Sequence, residues 1–406
     1  MRTISSISSY FIKVLMIVGT IGFLSACKDD SSSTPAATDA NTENSSSGVR
    51  MNEVQYLGTH NSYHPKPPDD VVFIANNLGL LPEAYADAIR DTKIDLIIPT
   101  LEYRHSSLTE QFEAQGIRQI ELDVFLDPDG GRYANRSVLA LLGKDPASGI
   151  AELNQPGLKV LHIQEIDYES TCYTFILCLS EIKTWSDSNP NHLPITVLIE
   201  AKDEVIPDPG IGFAIPLPFD ADGLNEIDEE IRSVFPDSKL ITPDSVRGDA
   251  STLEEAILTQ GWPLLSDARG KIMFALDNNN AARTLYIEGH PSLSGRVMFT
   301  DSAPGTPEAA FTKFNNPVSN FDSIKDLSKR GYLVRTRADA DTNEAKENNT
   351  MRQEDAFNSG AHFISTDYPV PDDRPEFNNY SVSIPGGGIA RCNPVSASNA
   401  CDDNAL

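Results

Sequence analysis

The sequence predicts an α/β fold, a TIM-type (β/α)8 barrel. Three observations carry that prediction: eight short runs rich in β-branched residues, helix-like stretches between most of them, and reactive side chains gathered where the runs end. Strands alternating with helical patterns mark a parallel sheet. Barrels of this kind carry their reactive groups at the C-terminal ends of the strands.

The runs are residues 54–59, 118–125, 158–164, 195–201, 271–277, 297–301, 332–337 and 362–366. Helix-like stretches are 108–115, 179–186, 224–235, 253–260, 308–314, 321–329 and 343–357. Several begin behind Ser, Thr or Asp, whose side chains cap free backbone N–H groups. The 406-residue chain is long enough for one large domain, expected over residues 50–383. Residues 384–406 are rich in Gly, Pro and Asn and form the expected tail.

Residues 1–26 have the shape of a signal segment, with Arg2 and Lys13 before an apolar run from Val14 to Leu24 that is short for a membrane span. The Leu24-Ser25-Ala26-Cys27 run resembles the lipobox of bacterial lipoproteins, which implies acylation of Cys27 and membrane attachment through it. A Ser-, Thr- and Asp-rich tether fills 27–49. Lys28 in place of Asp favours the outer membrane by the same resemblance, so the expected location is the cell envelope, in the periplasm or at the surface. With Arg2 and Lys13 gone, the formal net charge moves from −27 to −29. Such a surface repels nucleic acid and anionic bilayers, which excludes nucleic acid as a partner. A monomer is expected. Of the remaining cysteines, closeness favours the pairs Cys172–Cys178 and Cys392–Cys401 among three connectivities.

Glu121 and Asp123 stand two apart in a strand and so point to one face, with Ile120, Leu122 and Val124 on the other. Glu200 lies within the apolar strand Val197-Leu198-Ile199-Glu200-Ala201. Three carboxylates with the amide oxygen of Asn61 make an all-oxygen set, suited to Ca²⁺ or Mg²⁺. The plainer alternative is that they only pair with Lys202 and nearby arginines. His60 and His162 each end a run, and imidazole both gives and takes protons near neutral pH.

Thr-His60-Asn61-Ser62, Glu121-x-Asp123, His162 and Glu200, in that order, resemble the Ca²⁺-dependent phosphoinositide-specific phospholipases C. "YLGTHNSYH", "IELDVFLDPDGGRYA", "LHIQEIDYESTC", "GYLVRTRADAD" and "ISTDYP" are closest to the bacterial branch of that family. The resemblance spans about residues 50–370. It implies His60 as general base, His162 as general acid, and Ca²⁺ on Asn61, Glu121, Asp123 and Glu200. It also implies Lys202, Arg335 and Arg337 facing a phosphoinositide lipid, and diacylglycerol and a cyclic inositol phosphate as products. Glycerophosphodiester phosphodiesterases are the nearest alternative, but they carry Arg and then Gly after the first His, where this chain has Asn61 and Ser62. A third reading is a non-catalytic surface lipoprotein that binds Ca²⁺ and inositol phosphates. Residues 127–131 read as a turn, Asp339 and Asp341 as helix caps, and His64, His105, His192, His290 and His362 as lacking partners.

Overall fold

The computed structural model describes residues 48–406; the expected leader, Cys27 and nearly all of the tether lie outside the described residues. The described residues form eleven strands: β1 Val54–Thr59, β2 Gln119–Phe125, β3 Lys159–Val160, β4 Ile195–Ala201, β5 Leu240–Ile241, β6 Ile272–Leu276, β7 Met298–Thr300, β8 Phe311–Phe314, β9 Leu333–Arg337, β10 Phe363–Thr366 and β11 Ala390–Cys392. Eight of them form a parallel ladder in the order β7-β6-β4-β2-β1-β10-β9-β8. Its outer strands, β7 and β8, are joined by a single parallel bridge, Asp301 to Phe311, not by a continuous ladder.

The central strands are buried along their whole length, as parallel strands covered on both faces must be. Helices cover them with amphipathic faces. Ala221–Val234, capped by Asp220, buries Leu224, Ile227 and Ile231, which share one stripe of the helix. Ser107, Thr174, Thr252 and Asn316 cap four further helices through side-chain oxygens. Gly58 in β1 lies against Gln119, where a Cβ would stand 2.0 Å from its Oε1. Gly58–Gln119 is also the register point between β1 and β2. Among the described residues no helix is long and apolar enough to cross a membrane.

Two expected elements are corrected. The run 158–164 yields only β3, antiparallel to the far end of β2. The reason is lateral space: β2 pairs directly with β4 over six positions, leaving no room for a parallel strand between them. The stretch 308–314 is not a helix but the parallel strand β8, in register with β9 from Phe311–Leu333 to Phe314–Thr336. Ala309 and Ala310 favour a helix locally, but Phe311 and Thr312 suit a pleated, covered surface, and strand pairing prevails. The helical stretch 343–357 divides into Asn343–Glu347 and Met351–Asn358, interrupted at Asn348 in a left-handed conformation (φ 51°). Both disulfides form, Cys172–Cys178 and Cys392–Cys401. The second clips the tail where β11 runs antiparallel to β1.

Candidate active site

The site is built where β1, β2, β4, β9 and β10 end. Beyond Thr59 the chain turns through Asn61 at φ 46°, a left-handed position that Asn accepts more readily than most residues. Ser62 fastens this turn to β2: its N–H donates to the Glu121 carbonyl at 3.0 Å, and its Oγ accepts from the Glu121 N–H at 2.8 Å. Gln111 braces the turn from the neighbouring helix, accepting from Thr59 Oγ1 and donating to the Ser62 carbonyl, both at 2.7 Å.

Glu121 and Asp123 point from one face of β2, and the register sets Asp123 beside Glu200 of β4. One carboxylate oxygen from each of the three lies within 4.8 Å of the others. Asp123 is fully buried, and neither of its oxygens has a hydrogen-bond partner. Burial drives its carboxyl well above the usual range and pushes Glu121 up to about 7, although Arg335 opposes the Glu121 shift. Lys202 Nζ stands 3.7 Å from Asp123 and 3.6 Å from Glu200. Burial lowers the affinity of that ammonium for its proton, but the two carboxylates reverse the effect and hold it above the ordinary lysine range. Asn61 donates its amide N–H to the Tyr103 hydroxyl at 2.9 Å, which leaves the amide oxygen for another partner. A hard divalent cation fits this set, because it is all oxygen and because the single Lys202 ammonium leaves three clustered carboxylates short of counter-charge.

The two histidines are held alike. His60 Nδ1 meets Asp367 Oδ1 at 2.9 Å, and His162 Nδ1 meets Asp167 Oδ2 at 2.8 Å. His60 follows β1, which pairs with β10 as far as Thr59–Thr366, so the residue after each strand meets the other. His60 Nε2 lies 3.9 Å from Glu121 Oε1 and 3.3 Å from Arg337 Nη1. Burial, aided by Arg337, pulls its imidazole well below the usual histidine range against Asp367. His162 is lowered by burial, against Asp167. Burial alone would raise both carboxyls, but Arg337 and His60 hold Asp367 below its usual range, and His64 and His162 do the same for Asp167.

All the expected site residues are near these strand ends, with different commitments. Arg337 donates to Asp367 Oδ2 at 2.9 Å. Arg335 is 1% exposed, donating to Glu121 at 2.7 Å, to Ser365 at 2.8 Å and to Asn315. His162 lies beyond β3, not on a parallel strand. Sequence reasoning missed Asp167 and Asp367, although each stands inside a quoted motif, five residues after His162 and directly after the last parallel strand. His64 also has a partner, Asp167. Asp339 is no helix cap, since it accepts from Thr366 Oγ1 and the Asp367 N–H. Asp277, at the end of β6, pairs with Lys313.

A parallel α/β sheet with such a site defines the chain as a phosphodiesterase once its family is known. The family described as "Phosphoinositide phospholipase C, Ca2+-dependent" matches residues 49–394, and the chain belongs to it. Among solved structures, the calcium-dependent phosphoinositol-specific phospholipase C of Pseudomonas sp. is 16% identical, with 86% of this chain and 97% of that chain covered and a TM-score of 0.49. The Ca²⁺-dependent phosphatidylinositol-specific enzyme of Streptomyces antibioticus is 18% identical, covering 79% and 95% at a TM-score of 0.47. The phosphatidylinositol-specific phospholipase C of Listeria monocytogenes is 12% identical, covering 82% and 93% at 0.42. No curated protein matches the chain.

Proposed function

We propose that this protein cleaves phosphatidylinositol-type lipids between glycerol and phosphate, with Ca²⁺ held by Asn61, Glu121, Asp123 and Glu200. The observation that carries this reading is the gathering of three carboxylates, Asp123, Glu121 and Glu200, beside His60, with Asp123 fully buried and only the Lys202 ammonium near it. When bound, the ion would lower the pKa of the attacking hydroxyl and neutralise charge developing on the phosphate. His60, neutral and held through Nδ1 by Asp367, takes the inositol 2-hydroxyl proton on Nε2 as that oxygen bonds to phosphorus. His162, held through Nδ1 by Asp167, gives an Nε2 proton to the glycerol oxygen as its bond to phosphorus breaks. The negative phosphodiester supports that protonated imidazole. Lys202 and Arg337 face the phosphoryl oxygens, and Arg335 acts on the site through Glu121. The products are diacylglycerol and a five-membered cyclic inositol phosphate, which water opens with the two roles reversed.

We also read the fold as a closed (β/α)8 barrel, with its seam at the Asp301–Phe311 bridge. The sequence motif at Cys27 supports a lipid anchor and an envelope location. The test is phosphorus NMR of phosphatidylinositol micelles incubated with the protein, in Ca²⁺ and in chelator. A cyclic phosphate signal that needs Ca²⁺ is expected. Hydrolysis of glycerophosphoinositol without lipid cleavage would replace this reading with a glycerophosphodiesterase, and Ca²⁺ binding without turnover would leave a binding protein.

A further inference from the structure

Asp167 is shared. Its Oδ2 takes His162 Nδ1 at 2.8 Å, and its Oδ1 takes His64 Nε2 at 2.9 Å. Both Asp167 and the His64 side chain are fully buried. The His64 ring packs on Tyr103 with centroids 4.5 Å apart, and its backbone is tied on both sides, its N–H to the Asn61 carbonyl at 2.9 Å and its carbonyl to the His105 N–H at 2.8 Å. Asp167 is set by a tight two-way bridge with Ile163, with N–H to carbonyl distances of 3.0 and 2.8 Å. The mechanism above makes no use of His64.

The hydrogen-bond chemistry fixes which atoms carry protons. A buried carboxylate accepts only, so the facing nitrogens, His64 Nε2 and His162 Nδ1, must both be N–H donors. His64 Nδ1 is buried without a partner. The bond His64 makes to Asp167 is therefore through Nε2–H, and its Nδ1 takes no part. One oxygen of Asp167 is therefore permanently occupied, and the carboxylate is held against rotation. The other oxygen is presented to His162 alone.

We propose that His64 is a positioning residue for the acid step, fixing the orientation and the Nδ1–H tautomer of His162 through Asp167. The proposal rests on His162 as the acid. Without the His64 N–H, Asp167 has an unpaired buried oxygen and a free rotation, and His162 loses its fixed aim at the glycerol oxygen. The defect belongs to proton donation, not to substrate binding, so it depends on how much the leaving group needs a proton.

The experiment compares phosphatidylinositol, whose alkoxide leaving group needs a proton, with inositol p-nitrophenyl phosphate, whose phenolate does not. For His64→Phe, kcat on the lipid should fall about 10- to 100-fold, a part of what a general acid supplies, with KM little changed. On the nitrophenyl ester it should fall less than about threefold, because proton donation to that leaving group contributes little. His64→Gln, which restores an N–H, should recover much of the lipid activity. Equal losses on both substrates, or none, would overturn the proposal. His162→Ala run in parallel separates the two failures: if it also fails to discriminate, the acid assignment falls with the proposal, and if it does discriminate, only the role of His64 falls. Nitrogen-15 NMR of the wild-type imidazoles needs no turnover. It should show His64 protonated on Nε2 and His162 on Nδ1, and a His64 bare at Nε2 would also overturn the proposal.

Discussion

The two imidazoles of the site carry the same bond, a carboxylate on Nδ1, but stand in unlike surroundings. His60 is held between strand ends, and its partner Asp367 is shared with the Arg337 guanidinium. His162 stands on a short hairpin off the sheet, and its partner Asp167 is shared with a second imidazole. A fixed cation beside His60 resists a second positive charge there, which suits a base that begins neutral. Asp167 carries no guanidinium, although the Lys202 ammonium nearby also opposes a charge on His162, so the acid form of His162 rests on Asp167 and on the bound phosphodiester. The supports differ as well. The hairpin needs Glu165 at φ 65°, a strained position, offset by its carboxylate accepting from the Val138 and Ala214 N–H groups at 3.1 and 3.0 Å.

The largest expected effect is on turnover. His60→Ala should lower kcat on phosphatidylinositol by about 10²–10⁴-fold while circular dichroism stays native, and should slow the nitrophenyl ester as much as the lipid, because both need the base. A His60 variant that spared the ester would merge the two roles. Gly58→Ala should destabilise the His60 side by about 1–3 kcal/mol, because its Cβ overlaps Gln119 between β1 and β2. Denaturant midpoints measure this, and an unchanged midpoint would show that β1 does not press on β2 as described. Ca²⁺ affinity should rise with pH through about 7, because Glu121 keeps its proton below that point, Asp123 is raised as well, and the ion must displace those protons. Calorimetry at about pH 6 should find binding roughly tenfold weaker than at about pH 8. Binding indifferent to pH would remove Glu121 from the ligand set. The subtlest effect is a shift in pH dependence in Arg337→Met, on top of the turnover lost with a cation that faces the phosphoryl oxygens. With the cation gone, His60 takes up a proton at higher pH, so the acid limb of the kcat/KM profile moves up toward about 6.5. An acid limb that did not move would break the proposed difference between the two pairs.

Much of this was legible in the sequence, for local reasons. Alternation within Ile120–Val124 decides that Glu121 and Asp123 share a face, and no tertiary contact is needed to see it. β8 was hidden because a four-residue strand behind Ala309 and Ala310 has too little pattern to outweigh their helical preference. The run 158–164 looks like a strand on its own, and only the direct pairing of β2 with β4 rules it out. Asp367 and Asp167 were not picked out because a carboxylate in a loop reads as solvated until its partner is known. His60 and Asp367 are 307 residues apart, so their bond exists only once β1 and β10 are paired.

On one side β1 meets the early strand β2, but on the other its neighbours come from the far end of the chain: Tyr56 pairs with Phe363, and Val54 with Cys392. On a ribosome, this early strand therefore waits with an open edge until nearly all the rest has been made. Contacts of such wide separation slow folding and leave apolar edges available to other chains. The site behind His60 is thus among the last parts of the molecule to exist.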